Sequence, residues 1–160
     1  MVEIVPYARC YLAGVVEMIL SIQRDEFQIN ITLDDQPDLL DIPRFYQNGM
    51  GNFWVAVKGS EVIGTASLLD IGCGKAALRK MFVKQPWRGS QHGVADRLLQ
   101  TLTAWCVSTG IGDVCLGTTS AFLAAHRFYE KNGFLEISES ELPPSFPKMS
   151  VDTKFYRQMI

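Results

Sequence analysis

The chain has 160 residues, 48% hydrophobic and 20% charged, a balance that excludes a disordered or fibrous protein and fits one globular domain over 1–160. A formal net charge of −2 gives no general reason to expect a nucleic acid or an acidic membrane as partner. Four scattered cysteines, Cys10, Cys73, Cys106 and Cys115, with no C-x-x-C spacing and no histidine pair beside them, exclude a zinc site and a secreted disulfide framework.

In chain order, a short strand over 2–6 precedes a helix whose Leu12, Val15, Val16, Ile19 and Leu20 share one face. A second helical stretch is predicted over 37–46, ending near Asn48-Gly49. The run NFWVAVKGSEVIGTASLLD reads as two strands around the hairpin signal Lys58-Gly59-Ser60. A third strand, KAALRKMFVK, stops at Pro86, because proline cannot continue the ladder. A long helix after Ser90 is predicted to bury Val94, Leu98, Leu102 and Trp105 and to end at Gly110. DVCLGTT is a strand, and SAFLAAHRFYEKNG a helix with Ser120 as N-cap and Gly133 as its stop. FLEIS and KMSVDTKFYRQM are the last strands, the latter with Met149, Val151, Thr153 and Phe155 on one face. The order βααβββαβαββ is mixed α/β. No leader pattern opens the chain and no apolar run reaches membrane-spanning length, so a cytoplasmic location is expected, with the cysteines buried as small apolar residues.

The segment PWRGSQHG, residues 86–93, stands where a strand becomes a helix. A helix start leaves backbone N–H groups without partners, and glycines there let a ligand come close, so an anion is the expected ligand. Between Lys75 and Arg97 six basic residues (Lys75, Arg79, Lys80, Lys84, Arg88, Arg97) face one acid, Asp96, a net of +5 that predicts a basic surface around the turn. No Gly-Lys-Ser/Thr triplet supplies a Walker loop, and no G-x-G-x-x-G near a first strand supplies a dinucleotide fingerprint. What fits is an arginine-led turn of the form R-x-x-G-x-G/A, followed about 40 residues later by FYEKNGF.

With FVKQPWRGSQHGVADRLLQTL and AAHRFYEKNGF in these places, the sequence resembles the GNAT superfamily of acetyl-CoA-dependent N-acetyltransferases, from the first strand to Phe134. The wording around ALRKMFV is similar to a bacterial subgroup acting on small amines or amino acids. The resemblance implies one GNAT-like domain with a mixed, mostly antiparallel sheet flanked by helices. It implies acetyl-CoA as acyl donor, with Arg88, Gly89, Ser90, Gln91, His92, Gly93 and Val94 forming the pyrophosphate loop. Gln91 departs from the glycine the family prefers there. Backbone groups of Met81 and Val83 are expected to hold the pantetheine arm, and an N–H near Phe82 or Val83 to face the thioester oxygen. Tyr129 matches the tyrosine that protonates the departing thiolate, while Phe122 replaces a polar residue often found seven places earlier.

Many members carry a glutamate base on the central strand, where this chain has Arg79 and Lys80, neither a base at neutral pH unless strongly desolvated. Water, Glu26 or Asp25 are the alternatives, and Arg79 either faces the acceptor site and pairs with a substrate carboxylate or makes an ordinary surface ion pair. His126 is expected beside Tyr129 or in solvent, and no histidine has a metal partner at ligand spacing, so no metal is expected. The expected reaction is acetyl transfer to a primary amine of a small molecule by direct attack in a ternary complex, since no cysteine lies in an activating motif. The alternatives are a non-catalytic CoA-binding or sensing domain and a protein-interaction domain with a decayed, filled cleft. A monomer and a homodimer are both compatible with the sequence.

Overall fold

In the computed structural model, which describes residues 1–160, seven strands form one sheet. They are β1 (Val2–Pro6), β2 (Asn52–Lys58), β3 (Glu61–Gly72), β4 (Lys75–Val83), β5 (Asp113–Thr118), β6 (Leu135–Ile137) and β7 (Lys154–Met159), in the spatial order β1-β2-β3-β4-β5-β7-β6. Every pairing is antiparallel except β4 with β5. The mixed, mostly antiparallel α/β sheet expected above is therefore present, with helices on both faces.

Successive residues of a strand point to opposite faces, and a central strand covered on both sides reads as a continuous apolar run. NFWVAV is such a run. Phe53, Val55 and Val57 join Val15, Met18, Ile19, Leu39 and Ile42 of α1 (Leu12–Leu20), α2 (Pro37–Leu40) and α3 (Ile42–Phe45) in one core. Trp54 and Ala56 join Leu98, Leu102 and Tyr129 of α4 (Val94–Thr109) and α5 (Leu123–Lys131) in the other. No helix is long and apolar enough to cross a membrane.

Several elements differ from the expectation. The single helix over 37–46 is two helices of four residues each. In a continuous helix the Pro43 ring would clash with the carbonyl of Leu39, so the chain breaks at Asp41, whose carboxylate accepts the Arg44 N–H at 3.4 Å and starts a new turn. The helix predicted from Ser120 begins at Leu123, and Ser120 does not cap it. Residues 148–153 are not strand: Asp152 accepts the Met149 N–H at 3.0 Å and returns its own N–H to the Met149 carbonyl at 3.1 Å, closing a turn. Trp105 is half-buried and donates its ring N–H to the Met50 carbonyl. Cys106 and Cys115 are buried, whereas Cys10 and Cys73 are exposed.

One ion pair ties the β5 and β7 ends together. Arg157 donates from Nε and Nη2 to the two oxygens of the buried Asp113 carboxylate at 3.0 and 2.8 Å. The hydrogen bonds from Arg157 hold that carboxyl below its usual range. A carboxyl whose folded pKa is depressed stabilises the fold above its unfolded value and loses that contribution as pH falls through the folded one. Arg157→Ala is expected to cost about 2 kcal/mol at neutral pH, less than a fully enclosed pair because Arg157 is partly exposed. In urea unfolding the difference from wild type should fade below about pH 4 and vanish once Asp113 is protonated in both states.

Candidate active site

β4 and β5 pair only where Lys75, Ala76 and Ala77 lie opposite Asp113, Val114 and Cys115. Beyond Ala77 the two strands part, and a cleft of about 710 Å³ opens between them. Residues 78–83 form one wall and 117–119 with α5 another; the glycine turn and segments 22–31 and 146–152 complete it. The cleft is open rather than filled by side chains.

The wall on β4 contains a bulge. Thr65 pairs with Phe82 and Ser67 with Arg79, so Lys80 and Met81 together oppose Ala66, and Lys80 takes φ +53. Carbonyls displaced from the ladder are satisfied by side chains of β3: Thr65 Oγ1 donates to the Lys80 carbonyl at 2.7 Å and Ser67 Oγ to that of Arg79 at 2.6 Å. Lys80 is buried, donates from Nζ to Gln36 Oε1 and lies 3.6 Å from Asp38, which accepts the Tyr46 hydroxyl at 2.5 Å. Burial lowers its pKa to about 8. Lys80 itself lines the cleft, but its ammonium is taken up by Gln36 and Asp38, neither of which does.

Arg79 does line the cleft. Its guanidinium stands 5.7 and 5.9 Å from the ring centres of Phe45 and Tyr46, and its one hydrogen bond goes to Met149 Sδ at 3.4 Å. It makes no ion pair. The other cations of the basic segment are dispersed: Lys75 faces Asp113, Lys80 Asp38, Lys84 Glu61 and Arg88 Glu26, while Arg97 donates to the Val2 carbonyl. The basic surface predicted from sequence is thus largely neutralised by acids from elsewhere in the chain.

The anion-ready group is the helix start itself. Gly93, at φ +64, is the N-cap of α4 and supplies no side-chain cap. The N–H groups of Ser90, Gln91, Val94, Ala95 and Asp96 find no acceptor in the chain. Arg88 fastens the turn, donating from Nε to the Val83 carbonyl at 2.8 Å and from Nη2 to Glu26 Oε1 at 2.7 Å.

Of the residues expected in the site, Arg79, Met81, Phe82, Val83, Arg88, Gly89, Ser90, Gly93 and Tyr129 line the cleft. Glu26, Gln91, His92 and Val94 do not. Glu26 is held by Arg88, so it is not free to act on an acceptor. The His92 ring lies 5.3 Å from that of Trp87, and the Val94 side chain is in the core, leaving only its backbone N–H toward the turn. His126 is buried next to Tyr156, with Nε2 3.0 Å from the Thr119 carbonyl.

Tyr129 is 6% exposed, its ring centre 5.5 Å from that of Phe134 and 6.0 Å from that of Tyr156. Its hydroxyl makes no hydrogen bond in the chain, yet no fully enclosed polar side-chain atom lacks a partner, so the hydroxyl reaches the cleft. Burial raises its pKa, which keeps the phenol protonated at neutral pH. Burial likewise pushes the Cys106 and Cys115 thiols up to about 11, away from the thiolate a nucleophile needs. No three His, Cys, Asp or Glu side chains come together as a metal site.

A profile of the acetyltransferase (GNAT) family matches residues 16–134. The chain belongs to the GNAT acetyltransferase family. A solved GNAT-family acetyltransferase from Staphylococcus aureus Mu50 is 39% identical to this GNAT chain, with a TM-score of 0.95 over 99% of both chains. An acetyltransferase from Streptococcus agalactiae 2603 is 28% identical with the same TM-score, over 99% of this chain and 98% of that one. Among curated proteins, N-acetylaspartate synthetase from Danio rerio is 34% identical over 106 residues, 65% of this chain and 37% of that protein. The chain spans between about a third and a half of the length of the curated relatives it matches.

Within this GNAT fold, sequence reasoning missed Asp152, which lines the cleft beside Gly117. A Cβ on Gly117 would lie 2.5 Å from Asp152 Oδ2, so only glycine at this β5 position lets the carboxylate lie there. The signal was an Asp three residues after Met149, in position to close a turn. It was overridden by the apparent alternation of Met149, Val151 and Thr153. Phe122 meets Phe27 edge to face at 4.7 Å, so the position that often carries a polar side chain here supplies an apolar one to the cleft wall.

Proposed function

We propose that this GNAT chain transfers the acetyl group of acetyl-CoA to the primary amine of a small carboxylate-bearing acceptor, an amino acid, by direct attack in a ternary complex. The observation that carries the reading is that a phenol without a protein partner and an arginine without an ion pair face one cleft. The pyrophosphate is assigned to the free N–H groups at the start of α4, where backbone donors and the helix dipole favour negative charge. The pantetheine arm follows β4 past Ala77, where the strand has no neighbour on its β5 side, and brings the thioester carbonyl to an N–H near Phe82 or Val83. Tyr129 then protonates the departing thiolate.

The acceptor's carboxylate is assigned to Arg79, whose planar donors suit it and whose charge no ion pair takes up. The Danio rerio relative, named for making N-acetylaspartate, supports an amino acid as acceptor. The open cleft and a Tyr129 hydroxyl that reaches it without a protein partner favour catalysis over a purely CoA-binding role.

Arg79→Ala tests the acceptor assignment. Loss of a hydrogen-bonded charge pair of about 1.5–3 kcal/mol predicts a rise in KM of roughly 10- to 100-fold for an amino acid, and little change for its amide. Equal KM values for acid and amide, unaltered by the substitution, would remove Arg79 from the acceptor site.

A further inference from the structure

The acceptor amine arrives as an ammonium ion and must lose a proton before it can attack, and β4 carries no carboxylate to take it. The groups otherwise able to serve are engaged: the Lys80 ammonium with Gln36 and Asp38, Glu26 with Arg88, and His126 against the Thr119 carbonyl. Only two carboxylates line the cleft, Asp96 in the first turn of α4 and Asp152 in the turn before β7. Asp96 stands at the helix start assigned to the pyrophosphate. Asp152 shares its side of the cleft with Arg79: Met149 connects them, its sulfur accepting from Arg79 at 3.4 Å and its N–H donating to Asp152 Oδ2 at 3.0 Å. The two opposite charges form no ion pair with each other. Oδ1 of Asp152 has no partner in the chain and is not enclosed, so it is open to a ligand.

Resting on the acetyltransferase reading above, we propose that Asp152 receives the acceptor's ammonium group while Arg79 holds its carboxylate, and that Asp152 is the base that takes the ammonium proton. A cation and an anion that face one space without neutralising each other match a zwitterion, so the site selects free amino acids over simple amines and over simple acids. Gly117 belongs to this device, since any larger residue would push the carboxylate away.

An N–H bond of the ammonium breaks and its proton passes to a carboxylate oxygen of Asp152. The freed amine lone pair forms the C–N bond at the thioester carbonyl carbon. The C–S bond breaks, and the electron pair leaves on sulfur, which takes the Tyr129 proton. The second proton on the new amide nitrogen passes to the Tyr129 oxygen and restores the phenol. Asp152 releases its proton to water through the cleft. Burial holds the Asp152 carboxyl above its ordinary value, opposed by the Met149 N–H, by Arg79 from β4 and by Lys148 on its own segment; Gly117 on β5 brings no charge.

The test compares wild type with Asp152→Asn and Gly117→Ala at saturating acetyl-CoA, with an amino acid as acceptor and the same carboxylic acid without its amine as competitive inhibitor. Asp152→Asn keeps an oxygen for the Met149 N–H and removes the base. It is expected to lower kcat about 10²-fold, with inhibition by the amine-free acid within twofold of wild type. Arg79→Ala is expected to weaken that inhibition instead. Gly117→Ala, which keeps the carboxylate but displaces it, is expected to lower kcat in the same direction. Wild-type kcat should fall on the acid side with a one-proton midpoint above about 3.9, and the Asn variant should lose this limb. Wild-type kcat in Asp152→Asn would overturn the proposal and leave the acetyltransferase reading intact. If that variant does not fold, the wild-type profile decides: kcat flat down to about pH 4 overturns the proposal. A wild type that binds acetyl-CoA by calorimetry but acetylates no amine overturns both.

Discussion

Tyr129→Phe is expected to lower kcat by about 10²- to 10⁴-fold while folding and acetyl-CoA affinity stay close to wild type. The substitution keeps the ring, which is where the structural contribution lies: it packs against Phe134, Tyr156 and Phe128 in the core beneath α5. The hydroxyl has no partner in the chain, so its removal leaves no buried donor or acceptor unsatisfied and adds no penalty of that kind to the fold. Only the proton offered to the thiolate is lost. The predicted rate change corresponds to roughly 3 to 5 kcal/mol of transition-state stabilisation, at about 1.4 kcal/mol per factor of ten. The measurement is kcat at saturating acetyl-CoA, with chemistry shown to be rate-limiting by single-turnover kinetics. A Phe variant turning over at the wild-type rate would return Tyr129 to a packing role.

Gly93→Val is expected to weaken acetyl-CoA binding about 100-fold, or about 3 kcal/mol, with a much smaller effect on stability. Crowding within the chain is not the cause, because a Cβ at this position would meet nothing nearer than the Ser90 carbonyl oxygen at 4.0 Å. Two other effects act. The φ of +64 is one that a β-branched residue avoids, so the turn must shift and carry its free N–H groups with it. The added methyls would also stand in the space assigned to the pyrophosphate. Gly93→Asn, which tolerates this φ, separates the two, because it restores the turn but still places a side chain there. Calorimetry on the Val variant showing unchanged affinity would contradict the anion site at the start of α4.

How much of this was legible in the sequence depended on how local the determinant was. The glycine turn, the hairpin at Lys58-Gly59-Ser60, the stop of α4 at Gly110 and the placing of Tyr129 on the last helix all rest on residues within one or two turns of each other. The charge of the segment from Lys75 to Arg97 misled because its partners are distant. Asp113, Asp38, Glu61 and Glu26 come from four other parts of the chain, and only the fold reveals that Arg79 is left without an ion pair. Lys80 is the same lesson in reverse, since nothing local announces that a lysine in an apolar strand will turn at a bulge to meet Gln36 and Asp38.

At the acceptor end the sequence was least informative. Alternating Met149, Val151, Thr153 and Phe155 resembles a strand, but a turn closed by Asp152 costs less than an extended run with no neighbour to pair with, so the carboxylate faces the cleft. Pro43 gave a readable signal that the helical period obscured. The proline bars one continuous helix, and the restart at Ile42 leaves Phe45 and Tyr46 beneath the Arg79 guanidinium.

The most direct test of the account is acceptor-dependent release of CoA from acetyl-CoA across a panel of amino acids, their amides, polyamines and aminoglycosides, with products and protein weighed by mass spectrometry. The expected result is CoA release that requires an amino acid with a free carboxylate, one N-acetylated product per CoA, and an unchanged protein mass. Tight binding of acetyl-CoA with no acceptor-dependent release from any member of the panel would contradict it.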